Sequence, residues 1–185
     1  LTKGAGIEGT AVLAADLEEA LREKGVGEEV LKRAQEFLSS ISVVEEAMRA
    51  VEVGGVHSMH DPTEGGVLNG VWEMAEASQK GITIYEEKIR VAPETRAICK
   101  ALEIDPLKTL GSGALLIAAE QGNARKIVSA IEEMGVEVSI VGEITALEEG
   151  RWIVHGDGSR EGLVPPDQDH VYKVLERYGL GEAPT

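Results

Sequence analysis

The residues best suited to chemistry lie together in one short run, VHSMHDPTEGG, residues 56–66. It holds two histidines, a carboxylate followed by Pro62 and Thr63, and a pair of glycines ahead of an amphipathic stretch. Asp61, leaving the C-terminal end of a strand, offers the hard oxygen ligands that Mg2+ takes. Gly65 and Gly66, opening a helix, offer backbone N–H groups to phosphate oxygens, and Thr63 offers a hydroxyl. The same residues also make an ordinary turn in which Thr63 caps the following helix. Both readings stay open at this level. His57 and His60 are three apart, so a strand points them to opposite faces and they make poor joint ligands for a metal.

A second run, GAGIEG, places Gly4, Gly6 and Gly9 in G-x-G-x-x-G spacing before a helix. A dinucleotide-binding fold needs a strand ahead of that motif and an acidic residue about twenty positions later, ending a second strand. Only residues 1–3 precede it, and the region around Glu28 reads as helix, so a dinucleotide site is not expected. What survives is the physical point that glycines before a helix let N–H groups approach an anion, with a flexible lead-in as the alternative. Cys99 is the single cysteine, which rules out an intrachain disulfide and a cysteine-based zinc site. Its setting, RAICKAL, reads as a buried, inert thiol on a helix.

These residues must be held by regular elements. Leucines 13, 17 and 21 predict a helix over residues 10–24, stopped by Gly25 and Gly27. Val30, Leu31, Ala34 and Leu38 predict a second. Ser42 and Glu45 read as a capping box opening a third, with Val43, Val44, Ala47, Met48 and Val51 inward. VHSMH is a short strand, and Val67, Leu68, Val71, Trp72 and Ala75 form one helical stripe ending near Ser78. Further strands are expected at GITIYEE, GALLIAAE, VEVSIVGEI and, at an edge, RWIVHGDG. Helices are expected over residues 93–102, at NARKIVSAIEEMG with Asn123 near its cap, and at DQDHVYKVLERYG; the final APT is expected to fray. Strands and helices alternate after a largely helical first third. The expected fold class is therefore α/β (α+β), one domain over residues 1–185, a three-layer α/β/α arrangement with the strands near Val56, Ile82, Leu115, Val138 and Ile153 in one mixed sheet.

Composition sets the partners. The chain has 185 residues, 43% hydrophobic and 28% charged, as in an ordinary globular protein. Its 33 acidic against 18 basic residues give a net charge of −15, which repels nucleic acid and anionic lipid. Positive charge for a ligand such as ATP must then come from a metal, from helix N-termini or from another domain. No apolar run is long enough to span a bilayer and no signal-peptide pattern opens the chain, so a cytoplasmic setting is expected. Leu1 stands where a methionine would open a complete chain, and LTKGAGIEGTAVLAADL reads as the middle of a longer protein.

The run VHSMHDPTEGGVLNGVWEMAEAS resembles the H-x-M-x-D-P-T-x-G-G signature in the C-terminal domain of hydrogenase maturation factors of the HypE type. Those factors belong with AIR synthase, selenophosphate synthetase and thiamine monophosphate kinase. The likeness continues through IRVAPETRAICKALEIDPLKTLGSGALLIAAE to VEVSIVGEIT, so it spans most of the chain. The resemblance implies an AIR synthase C-terminal-domain-like fold. It implies a cleft in which Asp61 faces nucleotide and metal while Thr63, Gly65 and Gly66 line the phosphate end. Gly4, Gly6 and Gly9 match the glycine-rich lead-in facing the same cleft, and the turn of Gly111 and Gly113 matches a structural position.

It further implies that ATP and Mg2+ serve the full-length protein, that none is tightly bound by this segment alone, and that an acceptor oxygen is activated by phosphoryl transfer. The relatives' ATP-binding N-terminal domain, which forms their homodimer, has no counterpart in these residues, so this segment alone is expected to be inactive and monomeric. Glu64 stands where the HypE pattern has arginine, and His60 replaces another basic residue, which places it to meet phosphate. The cysteine-bearing tail of HypE has no counterpart in YGLGEAPT. That departure motivates the alternative expectation, a non-catalytic scaffold that binds other maturation proteins.

Overall fold

A computed structural model describes residues 1–180; the expected frayed end lies outside them. The first third is helical. α1 (Ile7–Asp16), α2 (Glu18–Glu23) and α3 (Glu28–Glu36) pack with α6 (Pro93–Leu102) and α8 (His170–Arg177) around Leu13, Leu21, Leu31, Ile98, Val171 and Val174. The helix expected over residues 10–24 starts earlier and breaks at Leu17, whose φ of −118° leaves the helical region.

α4 (Val44–Val53) corrects the sequence reading. Its first residue follows Val43, and no side chain caps it, so the Ser42 capping box does not form. Val44, Met48 and Val51 are 64%, 57% and 56% exposed, whereas Glu46 and Ala50 are buried. Two faces of this helix are apolar enough to go inward, and tertiary partners select between them. Lys3 Nζ donates to Ser40 O at 2.9 Å and to Ser42 O at 2.6 Å. It also lies 2.8 Å from Glu46 Oε1, an ion pair without hydrogen-bond alignment. With Glu46 tied inward, Ala50 turns toward α7 (Gln121–Glu132), where it packs with Ile127 and Ile131. Leu38, expected to pack, is 48% exposed beside the same face.

The strands form two sheets where one was expected. β1 (Val56–His60) and β3 (Leu116–Ala119) pair antiparallel, with a register shift between Val56 and Ser58. A second sheet runs β4 (Gly142–Thr145), β2 (Gly81–Tyr85), β5 (Arg151–Val154), β6 (Arg160–Gly162) in spatial order, antiparallel except for the β2–β5 pair. β5 is interior, and β6 takes the edge that the sequence reading gave to RWIVHGDG. Around Val138 only an isolated bridge to Thr2 forms. α5 (Gly66–Ala77) carries Val67, Leu68, Val71 and Ala75 into the core against Leu116 of one sheet and Ile82, Ile84 and Ile153 of the other. α4 and α7 cover the opposite face of the β1–β3 pair through Met59, Ile117 and Ala119. The result is the expected α/β/α layering with a mixed strand order. No helix among the described residues is long and apolar enough to cross a membrane.

Candidate functional site

β1 delivers Asp61 to the turn that opens α5, and the turn is held from three sides. Within it, the Thr63 amide donates to Asp61 O at 2.8 Å. From the strap leading into β3, the Gly111 amide donates to Thr63 O at 3.0 Å. From the start of α8, Asp169 Oδ2 accepts the Gly65 amide at 2.7 Å while Oδ1 accepts the Val171 amide at 2.7 Å. Asp169 is only 4% exposed. Burial raises its carboxyl above the ordinary carboxylate range, while the Val171, Gly65 and Leu110 amides pull the other way. Asp169 thus supplies the N-cap of α8 and clamps the α5 entrance at once.

The capping role given to Thr63 is corrected. Thr63 is exposed, its hydroxyl reaches only Asp61 O at 3.4 Å, and the residue before α5 is Gly65 in the left-handed region, with no side-chain cap. Gly65 and Gly66 have φ of 73° and 63°. A Cβ on Gly66 would sit 2.7 Å from the carbonyls of Leu107 and Thr109, so the helix start lies directly against the strap. Glycine is required there by close approach of backbone.

The glycine lead-in meets the same strap from the other side. Gly4, Gly6 and Gly9 are all buried, and the Gly9 amide donates to Leu110 O at 2.9 Å. A Cβ on Gly4 would fall 2.6 Å from Arg90 O. This segment is packed backbone and not a loose lead-in. It ends at the start of α1, where the Ile7 and Glu8 amides have no protein acceptor among the described residues. Such first-turn amides carry the positive end of the helix dipole.

Across this junction Asp61 lies close enough to Glu8 to feel its charge. Asp61 Oδ1 and Glu8 Oε2 are both buried without a hydrogen-bond partner. Burial raises the Asp61 carboxyl above its ordinary value and the Glu8 charge raises it further, while His60, the Gly113 amide and Lys3 draw it down. His60 Nε2 lies 2.6 Å from Glu73 Oε2. Asn69 Nδ2 donates to Glu73 Oε1 at 3.2 Å and to Glu64 O at 2.9 Å. Glu64 in turn accepts from the Tyr172 hydroxyl at 3.1 Å. His57 is exposed at the strand irregularity and apart from this cluster.

Thus Asp61 and residues 4–9 do come together, with Thr63 on the outside and His60 engaged by Glu73. Sequence reasoning missed Glu8, Lys3 and Asp169. A capping-type residue directly before a helix was the signal available for Asp169. For Glu8 there was none beyond a charge inside a glycine-rich run.

Cys99 takes no part. It is 2% exposed, and burial pushes its thiol up to about 12. The native chain is therefore expected to resist a thiol reagent at pH 8, with labelling appearing only on unfolding. Full labelling of the folded chain within minutes would contradict this.

Among the described residues no group of three or more His, Cys, Asp or Glu side chains converges as a metal cage. Two carboxylates with unpartnered oxygens beside free first-turn amides instead suit a cation that shares its shell with phosphate, as Mg2+ does. The fold is an α/β domain in which the strand-to-helix turn of Asp61 and the glycine segment opening α1 meet at the same strap. Residues 1–155 match the family described as AIR synthase related protein, C-terminal domain, and the chain belongs to that family.

Carbamoyl dehydratase HypE of Rhizobium leguminosarum is 35% identical over 100 residues, which are 52% of this chain and 29% of that protein. The crystal structure of E. coli HypE superposes with a TM-score of 0.74 at 25% identity over 92% of this chain and 50% of that one. A HypE structure in complex with ATP gives 0.63 at 22% identity, covering 70% of this chain and 42% of that one. A chain from the crystal structure of a HypE–HypF complex gives 0.59 at 24% identity, covering 66% of this chain and 41% of that one. The chain spans about half the length, or less, of the relatives it matches.

Proposed function

We propose that this chain is the substrate- and phosphate-side domain of an ATP-dependent, HypE-like enzyme of hydrogenase maturation, one that activates an acceptor oxygen by phosphoryl transfer. The observation that carries this reading is the buried, unpartnered pair Asp61 Oδ1 and Glu8 Oε2 at the start of α1. An anionic chain gains nothing from two neighbouring carboxylates unless a cation joins them. Family membership and the carbamoyl dehydratase relative support the same direction. Mg2+ would supply charge neutralisation between the phosphate oxygens. Asp61 and Glu8 would hold it, the Ile7 and Glu8 amides would receive a phosphate oxygen, and the Asp169 clamp would keep the turn from moving. An upstream nucleotide-binding domain, a homodimer built on it and a second maturation protein complete the proposed assembly. The test is ATP turnover by the full-length protein with Mg2+ across candidate acceptors, and turnover above buffer with at least one acceptor is expected.

One observation favours a second reading. The only cysteine is buried and protonated, so no thiol of these residues can accept a carbamoyl group. A non-catalytic scaffold for other maturation proteins fits that fact. Turnover equal to buffer with every acceptor, together with retained binding of a maturation partner, would select it.

A further inference from the structure

The segment from the end of β5 to the start of α8 has a histidine at each end, and each imidazole is held by groups from another part of the fold. Residues 156–170 lie beyond those that match the family. Between the two histidines, β6 pairs with β5. The Leu163 amide then donates to Arg151 O at 3.0 Å, and the Leu163 side chain joins Ile153 in the core. Asp169 follows with its clamp on the Gly65 amide.

The two imidazoles are held in opposite charge states. His155 Nδ1 lies 2.5 Å from Glu86 Oε2, in the turn Glu86–Lys88 after β2, and its Nε2 lies 3.3 Å from Glu161 Oε2 on β6. A ring with a carboxylate at each nitrogen donates to both only when protonated. Asp157 in the same turn feels the His155 charge, and Glu87 Oε2 lies 3.9 Å from where a Cβ on Gly156 would sit. The nearby cations Lys88 and Arg160 lie over the rings of Tyr85 and Trp152. Glu86 above all, and Glu161 with it, raise the His155 imidazole above its ordinary value, against desolvation. His170 is the first residue of α8, and its Nδ1 accepts the Asp105 amide at 3.0 Å. Only a neutral ring has the lone pair for that bond, and a charged one would stand at the positive end of the α8 dipole. Burial lowers the His170 imidazole, as do Lys173, Lys108 and Arg177, while Asp105 acts the other way.

His170 also joins the two supports of the α5 entrance. One is Asp169, its neighbour in the chain. The other is the turn that begins at Asp105, whose Oδ1 accepts the Leu107 amide at 2.9 Å and whose carbonyl accepts the Thr109 hydroxyl at 2.8 Å. The carbonyls of Leu107 and Thr109 bear directly on Gly66. We propose that residues 155–170 are a pH-sensitive strap on the α5 entrance, fastened at both ends only while His155 is charged and His170 is neutral. The His170 contribution is fully present above the ordinary imidazole value of 6.5 and is lost as the pH falls toward its lowered folded value. The His155 contribution is fully present below 6.5 and is lost as the pH rises through its raised folded value. Acid therefore frees the α8 end and loosens the turn that carries Asp61, whereas alkali frees the β6 end. The strap acts in this way whether or not the junction handles ATP.

The test is amide hydrogen exchange of the chain at about pH 5, 6.5 and 8, read as protection relative to unstructured peptide so that the intrinsic pH dependence cancels. Protection of the Asp105 and Gly65 amides is expected to fall about threefold or more between the middle and the acid value. Protection of the Leu163 amide is expected to fall about threefold or more between the middle and the alkaline value. His170→Gln, whose side-chain oxygen accepts from Asp105 at any pH, should abolish the acid loss alone, and His155→Gln the alkaline loss alone. Burial raises the Asp169 carboxyl as well. An acid loss that persists undiminished in His170→Gln belongs to that carboxyl and overturns the proposal. So does protection at either end of the strap that stays flat with pH in the parent chain. NMR titration of the two rings in the parent needs no variant: His170 should titrate below His155, and the reverse order also overturns the proposal.

Discussion

Asp61→Asn in the full-length protein is expected to lower Mg2+-dependent ATP turnover by about tenfold or more while the fold stays intact. The stability side of this expectation follows from the geometry. Asp61 Oδ1 has no partner to lose, and burial and the Glu8 charge already disfavour the ionised carboxyl. An amide of the same shape removes that repulsion, and Asn serves turns nearly as well as Asp, so the change in stability should stay within about 1–2 kcal/mol and can be favourable. A variant that melts no lower and works far worse is what a residue retained for ligand binding produces. A residue serving only the turn would show the reverse, with turnover preserved and some stability lost. Glu8→Gln offers the matching control, because it relieves the same repulsion from the other side. Wild-type turnover by the Asp61 variant at limiting Mg2+ removes the metal role.

Asp169→Ala is expected to have the largest structural effect, a loss of about 2–4 kcal/mol. Its carboxylate accepts the Gly65 and Val171 amides at 2.7 Å each in a site that is 4% exposed, and the Leu110 amide lies close enough to interact. Truncation leaves these buried donors without an acceptor and removes the α8 N-cap as well. For a domain of this size the melting temperature should fall by roughly 5–15 °C. Asp169→Asn keeps one oxygen acceptor and should recover part of the loss. Because the clamp holds the turn that carries Asp61, both variants should also weaken nucleotide-dependent turnover, the alanine variant more. A melting temperature within about 1 °C of the parent for Asp169→Ala would show that the clamp is not needed.

Several elements were fixed by local chemistry, and these were readable. Pro93 in a first helical turn and the left-handed Glu103 bound α6, and its limits match the sequence reading. The alternation in GITIY and the continuous apolar run at LIAA gave β2 and β3, because side-chain period is a property of the chain itself. The D-P-T-x-G-G run marked a strand-to-helix junction, since a proline and two residues of positive φ leave few other conformations.

What the sequence left open was decided by contacts between distant residues. Which face of α4 is buried turned on Lys3, more than forty residues away in the chain, reaching Glu46. Whether the strands make one sheet or two turned on which edges pair across the fold, β3 with β1 and β4 with β2, which no local pattern encodes. The entrance to α5 is clamped by Asp169 across the fold, at a separation of 104 residues, and not by Thr63 beside it. Glu8 acts on Asp61 only because the strap carrying Leu107 and Gly113 brings the start of α1 against the start of α5. Periodicity and turn chemistry act over a few residues, so they specify elements. Pairing of buried charges, amides and strand edges acts across the whole fold, and it alone brought the Glu8 charge near Asp61.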